Sequence, residues 1–282
     1  MPLHIPTFLT RLGSAVVFAI ILLGGLLWND WAFLVLFMLI QFLCIHEYFK
    51  LMNRIIPGQK HVFLAQRITQ AFSFLFLGLV GLSILEFGPY EVDLWPAAFF
   101  FPAVFLILNV FFVQSFWSST LKAFGAMMYI TLPIALMVGM RSMSAVIPLA
   151  LILMIWTNDT MAYLVGSFIG KKPLSKISPK KTWEGTIGGS LLTIAGAAIW
   201  GYYAPWYTMT DWIALALIVS ITGNLGDLLE SKLKRMADVK DSGSIMPGHG
   251  GALDRFDSLL VAIPFAFSYA YLFMPAVPVV IF

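Results

Sequence analysis

The residues best suited to chemistry in this 282-residue chain are a stripe of polar side chains within an apolar segment. Asn224, Asp227, Ser231 and Lys234 are three, four and three positions apart, so a helix would place them on one face. A carboxylate at hydrocarbon depth costs about 2.5–3.5 kcal/mol on insertion scales. The stripe therefore indicates a functional site facing an aqueous cavity, with a structural network between helices as the alternative.

A second polar stretch, residues 240–257, joins a glycine-rich loop to the start of another apolar segment. Glycines let the backbone approach a phosphate and present N–H groups to it, and arginine binds a phosphate bidentately. The two acids at the end of the stretch are three positions apart, so they share one helix face. The candidate residues are Lys240, Asp241, His249, Gly250, Gly251, Asp254, Arg255 and Asp257. This pattern predicts a phosphate-binding loop flanked by carboxylates.

A third acidic position, Asp159, lies inside another apolar segment. Helical spacing places it on the same face as Tyr163 and Gly166. Ionisable residues at membrane depth are functional by default, so we interpret Asp159 as a metal-binding or substrate-binding group. Neutralisation of a lysine on a neighbouring helix is the alternative.

A basic loop with five lysines and no arginine precedes Glu184. Ser178 or Thr182 is placed to cap the helix that follows, and Glu184 favours the N-terminus of that helix. Because a helix N-terminus beside lysines is an anion site, Lys180 and Lys181 are candidate phosphate ligands. Contact with anionic lipid, worth about 1 kcal/mol per charge, is the alternative.

Together these groups predict phosphoryl or nucleotidyl transfer. Carboxylates bind Mg²⁺, which keeps several waters and bridges phosphates. Positioning and charge neutralisation do most of the catalysis in such reactions, and carboxylates on different helices permit a two-metal site. Because the site would open to both cytosol and bilayer, one substrate should be a soluble polyphosphate and the other a lipid.

The elements that must position these groups are membrane helices. Hydrophobic residues make up 60% of the chain and charged residues 11%, against about 45–50% and about 25% in soluble domains. This composition excludes an ordinary soluble enzyme and a disordered chain. The single cysteine, Cys44, excludes an intramolecular disulfide and a zinc site built from cysteines. We expect no nucleic-acid partner.

Long apolar runs predict an all-α integral membrane protein with about nine transmembrane helices and a cytosol-facing polar cavity. Residues 1–150 form an N-terminal transmembrane region with few ionisable groups, and residues 151–282 form the C-terminal catalytic region. The predicted spans are 12–28, 31–49, 71–87, 97–113, 121–140, 144–166, 185–204, 211–229 and 256–275.

The distribution of basic residues predicts the orientation in the membrane. If the N-terminus is cytoplasmic, every lysine and arginine except Arg141 falls on the cytoplasmic side of these spans. Such asymmetry follows the positive-inside rule. The sequence therefore predicts a cytoplasmic N-terminus and a cytoplasmic site, in what we take to be a bacterial inner (plasma) membrane.

The motifs in the second half resemble those of the phosphatidate cytidylyltransferase (CDP-diacylglycerol synthase) family. The signature is similar to Ser231-x-Leu-Lys-Arg-x4-Lys240-Asp241-x-Gly-x2-Met-Pro-x-His249-Gly-Gly-Ala-x-Asp254-Arg255-Phe-Asp257. The strings Ser178-Pro-Lys-Lys-Thr-Trp-Glu-Gly and Asp159-x-x-Ala-Tyr match further family patterns. The resemblance covers about residues 150–260, whereas residues 1–150 match only in hydropathy.

The resemblance implies that CTP and phosphatidate give CDP-diacylglycerol and pyrophosphate. It also implies a membrane homodimer with a funnel-shaped cavity, and it maps the family's metal-binding aspartates onto Asp227 and Asp254. We add Asp159 as a candidate ligand of Mg²⁺, or of Mn²⁺ in its place, and a two-metal site is possible. Phosphate-neutralising roles fall to Lys180, Lys181, Lys234, Arg235, Lys240 and Arg255. Orienting or nucleotide-binding roles fall to Ser178, Thr182, Asn224, Ser231, Asp241, His249, Gly250, Gly251 and Asp257.

Two other functions remain open at this level. A CTP-dependent polyprenol or dolichol kinase would use the same nucleotide and a similar topology. A transporter would use Asp159 and Asp227 to relay protons or ions. In the first half, the string His46-Glu47-x-x-Lys50 lacks the second histidine of a zinc protease motif, so we interpret it as an interfacial ion pair.

Overall fold

The computed structural model describes residues 5–57, 62–84, 107, 116–204, 206–245 and 250–275. Within those residues the fold is all-α, with an isolated antiparallel bridge between Pro173 and Thr182. A π-helical turn, Met127–Thr131, joins the helices Phe116–Ala126 and Leu132–Met143. The helices are α1 (Ile5–Leu27), α2 (Asp30–Ile55), α3 (Val62–Ile84), α4 (Phe116–Ala126), α5 (Leu132–Met143), α6 (Val146–Ile169), α7 (Trp183–Tyr203), α8 (Met209–Met236) and α9 (Leu253–Phe273).

Six helical stretches in the described part of the chain are long and apolar enough to cross a membrane. They are Asp30–Ile55, Phe63–Ser83, Ser118–Met143, Val146–Ile169, Met209–Met236 and Leu253–Phe273. The first predicted span contains only a shorter apolar stretch, Gly13–Leu27, and the predicted span at 97–113 lies outside the described residues except for residue 107. The protein is therefore an all-α multi-pass membrane protein. The described residues contain six such helices, and the total of about nine stays a prediction.

The described helices group into two compact units. The first comprises Met1–Val138 and Met236–Arg255, with the final residue, and the second comprises Gly139–Arg235 and Phe256–Ile281. The chain passes from the first unit to the second inside α9, between Arg255 and Phe256. Each unit contains some of the candidate site residues. The division of function at residue 150 stays a prediction.

Polar side chains define where two of the helices begin. Asn29 accepts a hydrogen bond from the backbone N–H of Ala32 at 2.8 Å, at the start of α2. Thr182 accepts one from the N–H of Gly185 at 3.2 Å, at the start of α7. Both bonds satisfy N–H groups that have no partner inside the helix. Of the two candidate caps of α7, Thr182 is the one observed.

In the second unit, α6 and α7 approach closely because small residues face each other. Gly189 lies against the backbone of Ala162, and Gly185 lies against Gly166. Close approach through small residues is the usual basis of helix packing in membranes, where burial of apolar surface contributes little. This crossing holds the lysine loop that connects the two helices.

Replacing Gly189 by alanine should destabilise the protein, because the new methyl group would overlap the backbone of Ala162. Overpacking of this type costs about 1–3 kcal/mol. Gly196 on the same helix has open space at its Cβ position, so Gly196→Ala should be neutral or stabilising through helix propensity. Thermal unfolding in detergent should show a lower midpoint for Gly189→Ala only. Equal midpoints for the two variants would contradict this description of the crossing.

Candidate active site

Three carboxylates converge in the second unit. Asp227 and Glu230 are one turn apart on α8, and Asp257 is in the second turn of α9. One oxygen from each carboxylate lies within 4.8 Å of the other two. Glu230 is fully buried, and Asp257 is 8% exposed. Carboxylates this close, two of them buried, favour a nearby cation or a bound proton, because the charged forms repel one another and are costly to desolvate.

Two lysines lie against this carboxylate cluster. Lys181, from the loop before α7, forms an ion pair with Asp227, and Lys234 forms one with Glu230. Ser231 also donates a weak hydrogen bond to Asp227 at 3.4 Å. The predicted stripe on α8 is therefore a real polar face, and two of the predicted phosphate ligands, Lys181 and Lys234, lie on it or against it.

A glycine on α8 permits the short distance between α8 and α9. A Cβ at Gly226 would lie 2.5 Å from the carbonyl oxygen of Asp257 and 2.9 Å from the Cα of Ser258. Gly223, one turn earlier, faces the Cβ of Ser258 at 3.6 Å. Because the two backbones touch here, short acidic side chains from both helices can reach the same point.

Two further residues predicted for the site, Asp159 on α6 and Asn224 on α8, differ in exposure and in their contacts. Asp159 is exposed, and its negative charge acts on Asp257. It is not one of the three carboxylates whose oxygens meet. Asn224 is buried, and its amide donates to the carbonyl oxygen of Ser220 at 2.6 Å. The side-chain oxygen of Asn224, Oδ1, has no hydrogen-bond partner among the described residues.

The lysine loop is an ordered turn tied to the start of α7. The N–H of Leu174 donates to the carbonyl of Lys181 at 2.7 Å, and the N–H of Lys181 donates to the carbonyl of Ser178 at 3.1 Å. Lys180 is exposed at the tip of this turn. These hydrogen bonds join backbone groups, and they fix the turn that carries the lysine side chains.

Glu184 joins the start of the lysine loop to the first turn of α7. Its carboxylate accepts hydrogen bonds from the N–H groups of Lys171 and Lys172 at 3.1 and 3.2 Å. Its own backbone N–H, followed by those of the two lysines, lowers the pKa of Glu184 from the ordinary value of 4.5. The hydrogen bonds to the Glu184 carboxylate are therefore fully present above pH 4.5, and they are lost as the pH falls through the lowered pKa.

Removing this carboxylate should loosen the lysine loop. At pH 8 we expect Glu184→Ala to be cleaved by trypsin in this loop severalfold faster than the unchanged protein, because local opening exposes the backbone. Glu184→Gln, which keeps an acceptor without the charge, should lie between the two. Mass spectrometry of the fragments measures cleavage after Lys171, Lys176, Lys180 and Lys181. Identical cleavage rates would show that Glu184 does not hold the loop.

The glycine-rich loop and Asp254 belong to the first unit. The Oδ2 atom of Asp254 accepts hydrogen bonds from the N–H of Ser242 at 2.9 Å, the hydroxyl of Ser242 at 2.9 Å and the N–H of Gly251 at 2.7 Å. Gly250 has a φ of +82°, a conformation that favours glycine. The loop is thus folded onto the first turn of α9, and the predicted pairing of Asp254 with Asp227 at a metal stays a prediction.

Most of the other predicted site residues lie at the surface. Arg235, Lys240, Asp241 and Arg255 are exposed, and His249 lies outside the described residues. A polar cavity of about 150 Å³ in the first unit is lined partly by Asp241, together with basic residues of α2. These basic residues are Lys50 and Arg54.

Sequence reasoning missed two buried acids. Glu230 was not singled out, although it lies three positions after Asp227 and four before Lys234. That spacing was the one available signal. Glu47 was interpreted as half of an interfacial ion pair, and this is wrong. It is 2% exposed, and all its hydrogen bonds in the described part of the chain come from Ser242, Ala252 and Leu253.

The donor set of the carboxylate cluster fits a divalent cation. Hard oxygen ligands on Asp227, Glu230 and Asp257 are the type that Mg²⁺ prefers, and the acids outnumber the paired lysines by one. Membrane helices that bring carboxylates and lysines together have the equipment of a transferase acting on phosphate-linked groups.

The particular family follows from comparison with known proteins. The model of the cytidylyltransferase family matches residues 9–273, so the chain belongs to this family. A phosphatidate cytidylyltransferase of Synechocystis sp. is 32% identical over 289 residues, covering 94% of this chain and 95% of that protein. The resemblance read from the motifs is confirmed, and the chain is a nucleotidyltransferase.

Higher identity is found over shorter stretches. Phosphatidate cytidylyltransferases of Bacillus subtilis and Staphylococcus aureus are 47% identical over 124 residues and 49% identical over 115 residues. These alignments cover 42% and 40% of this chain, and 45% and 44% of the relatives. The chain thus matches less than half the length of these two relatives.

Proposed function

We propose that the protein is a phosphatidate cytidylyltransferase, which transfers CMP from CTP to phosphatidate to give CDP-diacylglycerol and pyrophosphate. The observation that carries this proposal is the cluster of Asp227, Glu230 and Asp257 with two lysines, inside a chain of the cytidylyltransferase family. The reaction belongs to phospholipid biosynthesis, and its lipid substrate suits a site built on membrane helices.

The bond changes are those of an in-line displacement. An oxygen of the phosphatidate phosphate attacks the α-phosphorus of CTP, and the bond from that phosphorus to the bridging β-oxygen breaks, releasing pyrophosphate. A phosphate monoester has its second pKa near 6, so it is largely ionised at neutral pH and needs no strong general base. The task of the protein is therefore to align the reactants and balance charge.

The carboxylate cluster is the proposed metal site, with Asp227, Glu230 and Asp257 as ligands. Asp254 is the further ligand that the family resemblance implies, and Asp159 adds negative charge nearby. Bound Mg²⁺, or Mn²⁺ in its place, would supply neutralisation of phosphate charge. The acids must stay ionised for this, and their position on helices rather than loops holds them in place.

Lysines of the cluster are proposed to bind the phosphates of CTP. Lys181 is only half-buried against Asp227, so its ammonium group can shift from a carboxylate to a phosphate oxygen with little loss of contacts. Lys180 is its neighbour in the same ordered turn, and its side chain is exposed. Lys234, Arg235, Lys240 and Arg255 would balance the remaining charge, and the glycine loop would contribute N–H groups.

The finer points of the architecture are also proposals. About nine membrane helices, a cytoplasmic N-terminus and a cytosol-facing cavity would explain the one-sided distribution of basic residues. A homodimer in a bacterial plasma membrane is what the family resemblance implies. Reaction of accessible cysteines, placed one at a time in the lysine loop and in loops on the other side, would test the orientation.

A labelling experiment tests the proposed reaction. Purified protein is incubated with phosphatidate, Mg²⁺ and CTP that is labelled either in the cytidine or at the γ-phosphate. The mass of the lipid product is then measured by mass spectrometry. Incorporation of the cytidine label into lipid, with the γ-label leaving in pyrophosphate, is expected. Transfer of the γ-label alone would indicate a lipid kinase, and absence of CTP consumption would indicate a transporter. Either result would overturn the proposal.

A further inference from the structure

A buried acid in the first half of the chain holds the glycine-rich loop of the second half. Glu47 on α2 is 2% exposed, and its Oε2 atom accepts hydrogen bonds from the hydroxyl of Ser242 and the N–H of Leu253, each at 2.8 Å. Its Oε1 atom accepts one from the N–H of Ala252 at 3.0 Å. Both residues that donate backbone N–H groups lie at the start of α9.

The contact is equivalent to a helix cap supplied by a distant part of the chain. Leu253 is the first residue of α9 and Ala252 directly precedes it, where backbone N–H groups have no partner within the helix. A carboxylate there satisfies them and interacts favourably with the helix dipole. The acid that does so is 205 and 206 residues away from them in sequence. The beginning of α9 is therefore anchored by α2.

The loop is shaped to admit this carboxylate. A Cβ at Gly243 or at Gly251 would overlap the carboxylate of Glu47, so larger residues at these two positions would expel it. The absence of a side chain at these two glycines thus lets the carboxylate of Glu47 lie close to the backbone of the loop.

Ser242 connects Glu47 to Asp254. Its hydroxyl lies 2.8 Å from Glu47 Oε2 and 2.9 Å from Asp254 Oδ2. A serine hydroxyl has one proton to donate, so the two carboxylates share it, and the position of each depends on the other. The N–H of Ser242 also donates to Asp254 Oδ2 at 2.9 Å. A movement of Glu47 would therefore release Ser242 and change how Asp254 is held.

We propose that Glu47 is a positioning residue for cytidylyl transfer, holding the 242–253 loop and the first turn of α9 so that Asp254 and Arg255 are presented in one geometry. This inference rests on the proposed function. Its consequence is that the N-terminal half, which lies outside the signature motif, contributes directly to the geometry of that motif.

The test compares variants that keep the protein folded. Glu47→Gln is nearly isosteric, but its NH₂ group would face an N–H or hydroxyl donor in place of one acceptor. We expect kcat per folded molecule to fall about tenfold to a hundredfold, as for other residues that orient ligands, with the KM for phosphatidate within about twofold of normal. Glu47→Ala should fall further.

The matched control is Gln41, which is also buried on α2, at 1% exposed. It makes no hydrogen bond with the loop in the described residues, so Gln41→Ala should lower thermal stability about as much as Glu47→Ala while kcat stays within about threefold of normal. The hydrogen exchange of peptides covering residues 242–255 provides a readout independent of turnover. Exchange there should be faster in Glu47→Gln and unchanged in Gln41→Ala.

Each outcome bears on the proposal. Normal kcat in Glu47→Gln, or unchanged exchange of the loop in that variant, would overturn it. A loss of kcat in Gln41→Ala as large as in Glu47→Ala would also overturn it, because the effect would then reflect stability alone. Absence of turnover in the unchanged protein would refute the proposed function instead, and the exchange comparison would still decide whether Glu47 holds the loop.

Discussion

Asp227→Asn should lower turnover of CTP with phosphatidate on the order of a hundredfold or more, because it removes a charged ligand from the proposed metal site. The side chain keeps its size, and Lys181, its ion-pair partner, is 27% exposed and can be solvated by water. The amount of folded protein in the membrane should therefore be normal. Initial rates at saturating substrates, with Mg²⁺ varied, measure the loss.

The control for this change is Asp238→Asn. Asp238 is exposed just beyond the end of α8, with a φ of 54° that asparagine also tolerates. The Asp238→Asn substitution removes the same charge as Asp227→Asn but at an exposed position, so turnover should stay within about twofold of normal. If Asp227→Asn keeps near-normal rates at low Mg²⁺, Asp227 does not bind the metal. If both variants lose activity equally, the effect is one of net charge.

Lys234→Met should destabilise the protein as well as inactivate it. Its partner Glu230 is fully buried, and removing one member of a buried ion pair costs about 3–5 kcal/mol because the other charge is left uncompensated. We expect a clear loss of folded protein and a lower midpoint of thermal unfolding in detergent. Size-exclusion chromatography of a fluorescent fusion measures the folded fraction.

The double variant Lys234→Met with Glu230→Gln separates stability from catalysis. Removing both charges should restore most of the stability, since neutral groups need no counter-ion. Turnover should stay low, because a proposed phosphate ligand and a proposed metal ligand are both gone. Recovery of activity along with stability would show that Lys234 has only a structural role, and failure to recover stability would contradict the buried pair.

The sequence was sufficient to predict much of the polar face on α8. Asp227, Ser231 and Lys234 recur at helical spacing in an apolar segment, and the structure places them on the face that carries the carboxylate cluster. Ser178 and Thr182 were the two candidate caps identified from residue type and position alone, and Thr182 is the one that caps α7. Local interactions of this kind depend on neighbours three or four residues away, so spacing reveals them.

The two acids that were missed depend on partners that are not local. Glu230 looks like an ordinary acid near the end of an amphipathic helix, and only the packing of α8 against α9, which Gly226 permits, shows that it is fully buried. Glu47 was assigned a nearby lysine because Lys50 follows it by three positions. Its actual donors lie 195 to 206 residues away.

By itself, the sequence determined that this protein lies in a membrane as α-helices, which polar segments carry its chemistry and which family it resembles. Hydropathy and helical period are local properties, and a lipid environment requires each spanning segment to satisfy its own backbone. Only the tertiary structure decided which acids meet. That depends on where glycines allow two helices to touch and on which buried donors remain for a distant carboxylate, and neither is encoded in the spacing along one segment.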